Sequence, residues 1–118
     1  MKFACLVYFE AADMDALTPQ QQQQLTDDAL DYNDRLAAEG KLIVAQALHP
    51  PEKAVSVRTR NGKMSATDGP FAETREQLAG FMLIEAADMA EAIAIAGRDP
   101  MATIGTMEVR PFLELSHS

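Results

Sequence analysis

The chain has no tryptophan, one cysteine, two histidines and only ten Lys and Arg residues among 118, against eighteen Asp and Glu. Each scarcity removes a class of function. Cys5 has no internal partner for a disulfide, and its place in an apolar, strand-like run reads as a small buried hydrophobe. No cluster has zinc-ligand spacing, no glycine-rich phosphate loop occurs, and no serine or cysteine sits in a nucleophile motif. Metal, nucleotide and covalent-nucleophile chemistry therefore find no support in the pattern, and no cofactor is expected. The net charge of −8 opposes nucleic acid and anionic membrane as partners, because both require concentrated positive surface and the basic residues here are scattered. No apolar run nears the roughly 20 residues of a membrane span. Met1 to Glu10 is too short for a signal peptide and carries no cleavage-like region. The expected location is the cytoplasm.

What is present reads as one domain over residues 1–118, long enough to bury a core without disulfide or metal. Lys2 to Glu10 alternates with period two and is apolar on both faces, Phe3, Cys5, Val7 and Phe9 against Ala4, Leu6 and Tyr8. Ala11 to Leu17 reads as a polar, acidic connection. Thr18-Pro19-Gln20-Gln21 is a capping box with proline at the first helical position, and Leu25, Ala29, Tyr32 and Leu36 follow as one stripe up to a stop at Gly40. Asp27, Asp28, Asp31 and Asp34 fall on the solvated side of that helix. Lys41 to His49 is a second strand, again apolar on both faces, closed by Pro50-Pro51. Asn61-Gly62 predicts a hairpin between Ala54–Arg60 and Lys63–Thr67. Gly80 to Ala86 is another strand. Asp88 to Glu91 repeats the capping pattern and opens a second helix with Met89, Ile93 and Ala96 inward and Gly97 as its stop. Thr106 to Leu115 returns to strand, and Pro111 marks an edge or an end.

The order strand, helix, strand, hairpin, strand, helix, strand predicts an α+β fold: a ferredoxin-like split β-α-β with an inserted β-hairpin and both helices on one face of an antiparallel sheet. Strands apolar on both faces then need a second cover. A second copy supplies it through one self-complementary interface, so the pattern predicts a homodimer.

The stretch Thr67-Asp68-Gly69-Pro70-Phe71-Ala72-Glu73-Thr74-Arg75-Glu76-Gln77-Leu78 is the densest run of polar groups between apolar segments. With Lys2-Phe3 through Tyr8, Ala47-Leu48-His49-Pro50-Pro51 and Met107 to Phe112, it resembles the DGPF-type branch of the YCII-related family, and the resemblance covers nearly the whole chain. It implies a ferredoxin-like fold assembled as a dimeric α+β barrel. It also implies a small-molecule cleft and, in some members, lyase or isomerase-like chemistry built on a histidine and an aspartate. Asp99-Pro100 matches the family's Asp-Pro after the second helix. The family's first-helix histidine has no counterpart, because Pro19 to Glu39 contains none. A frequent location of this branch beside genes for alternative sigma factors adds a regulatory reading.

Six residues are singled out as site candidates. Asp68, ahead of Gly69-Pro70, fits either a turn-capping carboxylate or a general base aimed into a cleft. His49, at a strand end, fits either a proton-transfer group or a partly exposed strand-end residue. Glu73 and Arg75 fit a surface ion pair or, with arginine buried, a clamp for a substrate carboxylate. Tyr8 presents its hydroxyl inside the barrel or fills it. Asp99 enters as a ligand-binding residue through the resemblance alone. Three functions remain open: an acid–base lyase or isomerase, a ligand-binding or regulatory module without chemistry, and a polar loop that clasps the dimer.

Overall fold

The computed structural model describes residues 1–117. Strands β1 (Lys2–Phe9), β2 (Leu42–Ala47), β5 (Gln77–Glu85) and β6 (Thr106–Pro111) form one antiparallel sheet in the order β2-β5-β1-β6. Helix α2 (Pro19–Ala38) connects β1 to β2, and helix α3 (Met89–Arg98) connects β5 to β6. This is the split β-α-β order that the element pattern predicts. The hairpin β3 (Val55–Arg60) and β4 (Lys63–Asp68) is inserted between β2 and β5 and forms a two-stranded sheet of its own. Its turn follows from the sequence: Asn61 and Gly62 both take positive φ, 52° and 76°, as a tight hairpin of this twist requires.

Alternation divides the large sheet into two unlike faces. Phe3, Cys5, Met82 and Ile84 point to the helices and pack with Tyr32 and Leu36 of α2 and with Ala92, Ile95 and Ala96 of α3, all nearly inaccessible to water. Ala4, Leu6, Tyr8, Phe81 and Leu83 alternate with them on the other face, where no helix lies, and all five are only half-buried. Within the helical layer, the Tyr32 hydroxyl donates to the Ile95 carbonyl at 2.6 Å. Ile95 lies in the last turn of α3, where carbonyls run out of intrahelical donors, so this bond serves a group the helix itself leaves short.

The first long helix begins as its sequence dictates. Thr18 Oγ1 accepts from the Gln21 N–H at 3.1 Å, and the Thr18 N–H donates to Gln21 Oε1 at 2.8 Å. Three local readings are corrected. Ala11–Asp15 is a short helix, α1, and not an irregular connection. Helix α3 buries Ala92, Ile95 and Ala96, while Met89 and Ile93 face outward, Ile93 at 58% exposure. The alanine side lets α3 approach the sheet closely, and this closeness outweighs the larger side chains. Gly97 does not stop α3. The helix runs to Arg98 and ends where Pro100 forces Asp99 out of helical geometry, with ψ at 129°. The box at Asp88 is half made: Asp88 accepts from the Glu91 N–H, and Glu91 takes the Ala87 N–H instead of that of Asp88. Among the described residues no helix is long and apolar enough to cross a membrane.

Candidate functional site

At the end of the sheet where β1 finishes and β5 begins, the strands diverge from α2 and leave a cavity of about 740 Å³, within the range of small-molecule sites. Leu25 and Ala29, the first half of the α2 stripe, line it, whereas the second half, Tyr32 and Leu36, closes into the core. Met14 of α1, Phe9 of β1, Ala45 of β2 and Met82 of β5 add further apolar wall. The strands can close this end tightly because Gly80 has no side chain: a Cβ there would stand 2.7 Å from the Gln46 carbonyl oxygen of β2. The walls are mostly apolar, with eight polar residues among them: Asp15, Thr26, Asn33, Gln46, His49, Glu52, Gln77 and Asp99.

Of these, Asp99 is 4% exposed and is the one buried charged residue among those described. Local sequence places it. Asp99 follows the last residue of α3 and caps the 3₁₀ turn Pro100–Thr103, its Oδ1 accepting from the Met101 N–H at 2.8 Å. Capping accounts for one oxygen. The other has no hydrogen-bond partner among the described residues, yet it is not sealed from the cavity that Asp99 lines. Burial pushes the Asp99 carboxyl above the usual carboxylate range, and the Met101 N–H pulls it partly back. Its charge is felt by two neighbours. Burial, with Asp99 as the lesser cause, pushes the Cys5 thiol up to about 11, so the sulfur is protonated and unreactive at neutral pH. Burial also raises the Tyr32 hydroxyl, with Arg98 opposing and Asp99 reinforcing the shift.

The other sequence candidates fall in three places. His49 is exposed and lines the rim of the same cavity. Tyr8 is half-buried on the face of the sheet that carries no helix. Asp68, Glu73 and Arg75 lie on the exposed hairpin end and the loop that follows it, outside the cavity lining. Arg75 is not paired with Glu73. It reaches Glu10 Oε1 at 3.4 Å with its own side chain 89% exposed, which gives the pair little energetic weight. The turn is fixed by backbone: the Gly69 N–H donates to the Ala54 carbonyl at 2.7 Å, and no side-chain bond of Asp68 is formed among the described residues. Thr74 donates to the Glu76 carbonyl, Gln77 donates to the Thr74 carbonyl, and Glu76 accepts from Thr106. The loop's neutral polar groups are thus largely engaged with the loop itself and with β6.

A shallower depression is lined by Asp28, Asp31, Asp34, Arg35 and Pro100. No group of three or more His, Cys, Asp or Glu among the described residues converges enough to hold a metal ion, so these aspartates form a solvated helix face. The cavity itself was the feature least visible in the sequence. Its walls are drawn from the same apolar positions that pattern assigns to core, and the one available signal was an aspartate between a helix and a proline.

Comparison with known proteins bears on this arrangement. A profile of the YCII-related domain matches residues 1–116. The chain belongs to the YCII-related family. An uncharacterized protein of Rhizobium meliloti (strain 1021) is 34% identical over 114 residues, spanning 94% of this chain and 91% of the relative. Among solved structures, the fold is similar to that of 5-chloro-2-hydroxyhydroquinone dehydrochlorinase from Burkholderia phenoliruptrix AC1100, solved in complex with 2,5-dihydroxybenzoquinone. The TM-score is 0.57 at 15% identity, covering 96% of this chain and 94% of the other. At that identity the likeness speaks for the fold.

Proposed function

We propose that this YCII-related protein binds a small, largely apolar molecule in the cavity beside α2 and exchanges a proton with it through Asp99. The observation that carries the reading is Asp99, 4% exposed, lining that cavity, with one carboxyl oxygen that has no hydrogen-bond partner among the described residues. A carboxyl raised by burial stands nearer neutral pH than an exposed one and so suits general acid–base work. In an isomerisation, the carboxylate takes a proton from the bound molecule, the bonding pair shifts within it, and the carboxylic acid returns the proton elsewhere. His49, at the rim, is the second titratable group proposed to serve this cavity. The solved relative of like fold is a dehydrochlorinase holding a small ring compound, which accords with a lyase or isomerase reading.

A second reading, binding without turnover, is favoured by one observation: among the described residues the only hydrogen bond to the Asp99 carboxylate is from a backbone N–H, with no acid or base side chain attached to it. Both readings need the same cavity. The test is to incubate the protein with a metabolite extract and identify what is retained or consumed, beside the cavity-filling variant Ala29→Phe. Retention or consumption by the wild type alone supports the cavity. Identical behaviour of the two proteins overturns it, and retention without consumption selects binding without turnover.

The working form is proposed to be a homodimer closed over the bare face of the sheet, in the manner of a dimeric α+β barrel. The accessible surface is 8438 Å², against about 6,300 Å² for a compact chain of this mass. The surplus is of the size that one partner buries in an obligate dimer. The radius of gyration, 16.4 Å against about 13–14 Å for a compact domain of this length, agrees. Light scattering then gives twice the 12.9 kDa of one chain, and Leu6→Glu on the bare face gives the monomer mass. A monomeric wild type overturns the dimer without touching the cavity.

A further inference from the structure

We infer that the cavity is selective for the sign of its ligand's charge, and that the molecule it takes is an amine carrying an apolar body, with the ammonium group seated on Asp99. This rests on the cavity reading above and deepens it.

Among the described residues the walls contain no lysine and no arginine. The ionisable groups lining the cavity, apart from His49 at the rim, are Asp15, Glu52 and Asp99, all acidic. The chain as a whole carries −8, so the wider field has the same sign. The cations nearest in sequence do not intervene: Arg98, beside Asp99, and Arg35 of α2 are exposed and line no part of the cavity. An anionic ligand would therefore enter against like charge and find only neutral polar groups, such as Asn33, Thr26 and Gln46, to receive it.

Asp99 sharpens this from exclusion to preference. Asp99 is 4% exposed, one of its oxygens is not fully sealed and has no hydrogen-bond partner among the described residues, and burial raises its proton affinity. A ligand ammonium supplies the missing counter-charge and up to three N–H donors in the place where no protein group does so. Leu25, Ala29, Met14 and Met82 accept the alkyl or aryl remainder, and methionine side chains adapt to varied shapes.

The test uses three probes of nearly the same shape and different charge: benzylamine, benzyl alcohol and benzoate, titrated calorimetrically into the full-length protein at pH 7.5. Benzylamine is expected to bind about ten-fold more tightly than benzyl alcohol, a difference of about 1.4 kcal/mol, and benzoate more weakly than either. Asp99→Asn keeps an oxygen for the Met101 N–H, so the fold is retained. It is expected to abolish the preference for the amine, so that benzylamine and benzyl alcohol bind with like affinity. Benzoate binding as tightly as benzylamine overturns the charge selectivity, as does an amine preference that survives in Asp99→Asn. In either case binding lost in Ala29→Phe leaves the cavity reading standing. If none of the three probes binds, or all bind equally in Ala29→Phe, the cavity reading fails and the amine preference falls with it.

Discussion

Two polar regions of this molecule invite opposite conclusions depending on whether they are met in sequence or in space. The stretch from Asp68 to Gln77 is the densest run of polar groups that stands out along the chain, and most of it is exposed. Asp99 is one carboxylate after a helix, unremarkable in the sequence, and it is the buried one. In the loop, water and neighbouring backbone already satisfy the polar groups, so little interaction free energy is left for a ligand. In the cavity Asp99 is mostly withdrawn from water among largely apolar walls, where an electrostatic contact is stronger than at an exposed position. The proposed site thus rests on one withdrawn carboxyl and not on the density of polar residues.

The contrast can be broken by substitution. The largest effect on stability is expected for Tyr32→Phe, which leaves the Ile95 carbonyl without its hydroxyl donor at the end of α3, just ahead of Asp99. The loss should be about 1–2 kcal/mol in urea denaturation, typical for a buried hydrogen bond. A cost near zero would mean that the α3 terminus is not held from α2.

A smaller and pH-dependent effect is expected for Asp99→Asn. Folded Asp99 binds its proton more tightly than the unfolded chain does. At a pH below the unfolded value both states are protonated and burial of the acid carries no charge penalty. As pH rises from the unfolded value through the folded one, the unfolded chain ionises first and stability is lost, after which the penalty is constant. The variant should therefore melt higher than the wild type at neutral pH, with the gain disappearing toward about pH 3, below the ordinary aspartate value. A difference that is independent of pH would show that the carboxylate is solvated after all.

The smallest effects belong to the loop. Asp68→Ala, Glu73→Ala and Arg75→Ala should each shift stability by no more than about 0.5 kcal/mol, as exposed positions usually do, and should leave benzylamine affinity unchanged. A ten-fold loss of affinity in any of the three would return the loop to the site and erase the contrast.

Much of the fold was legible because local signals and pattern agreed. The Thr18–Gln21 box, the Asn61-Gly62 turn and the two-faced strands each stand where the chemistry of those residues puts them. Errors arose where pattern was degenerate. In α3 almost any rotation presents apolar groups, and close approach through Ala92 and Ala96 decided the matter against Met89 and Ile93. Leu25 and Ala29 continue the stripe of Tyr32 and Leu36 without interruption, so nothing in their spacing says that the sheet draws away beneath them. A cavity is a property of divergence between elements, and periodicity within one element does not record it.

The two tyrosines lie on opposite sides of one sheet, Tyr8 on the bare face and Tyr32 beneath the helices, and the chain has no tryptophan. Near-ultraviolet absorbance and emission of the native protein therefore come chiefly from two phenols in unlike surroundings. Replacing either one by phenylalanine leaves a spectrum belonging to a single side: Tyr32 alone reports on the helical layer, and Tyr8 alone on whatever covers the bare face. Events on the two sides of the sheet can in this way be followed as separate optical signals without attaching a dye.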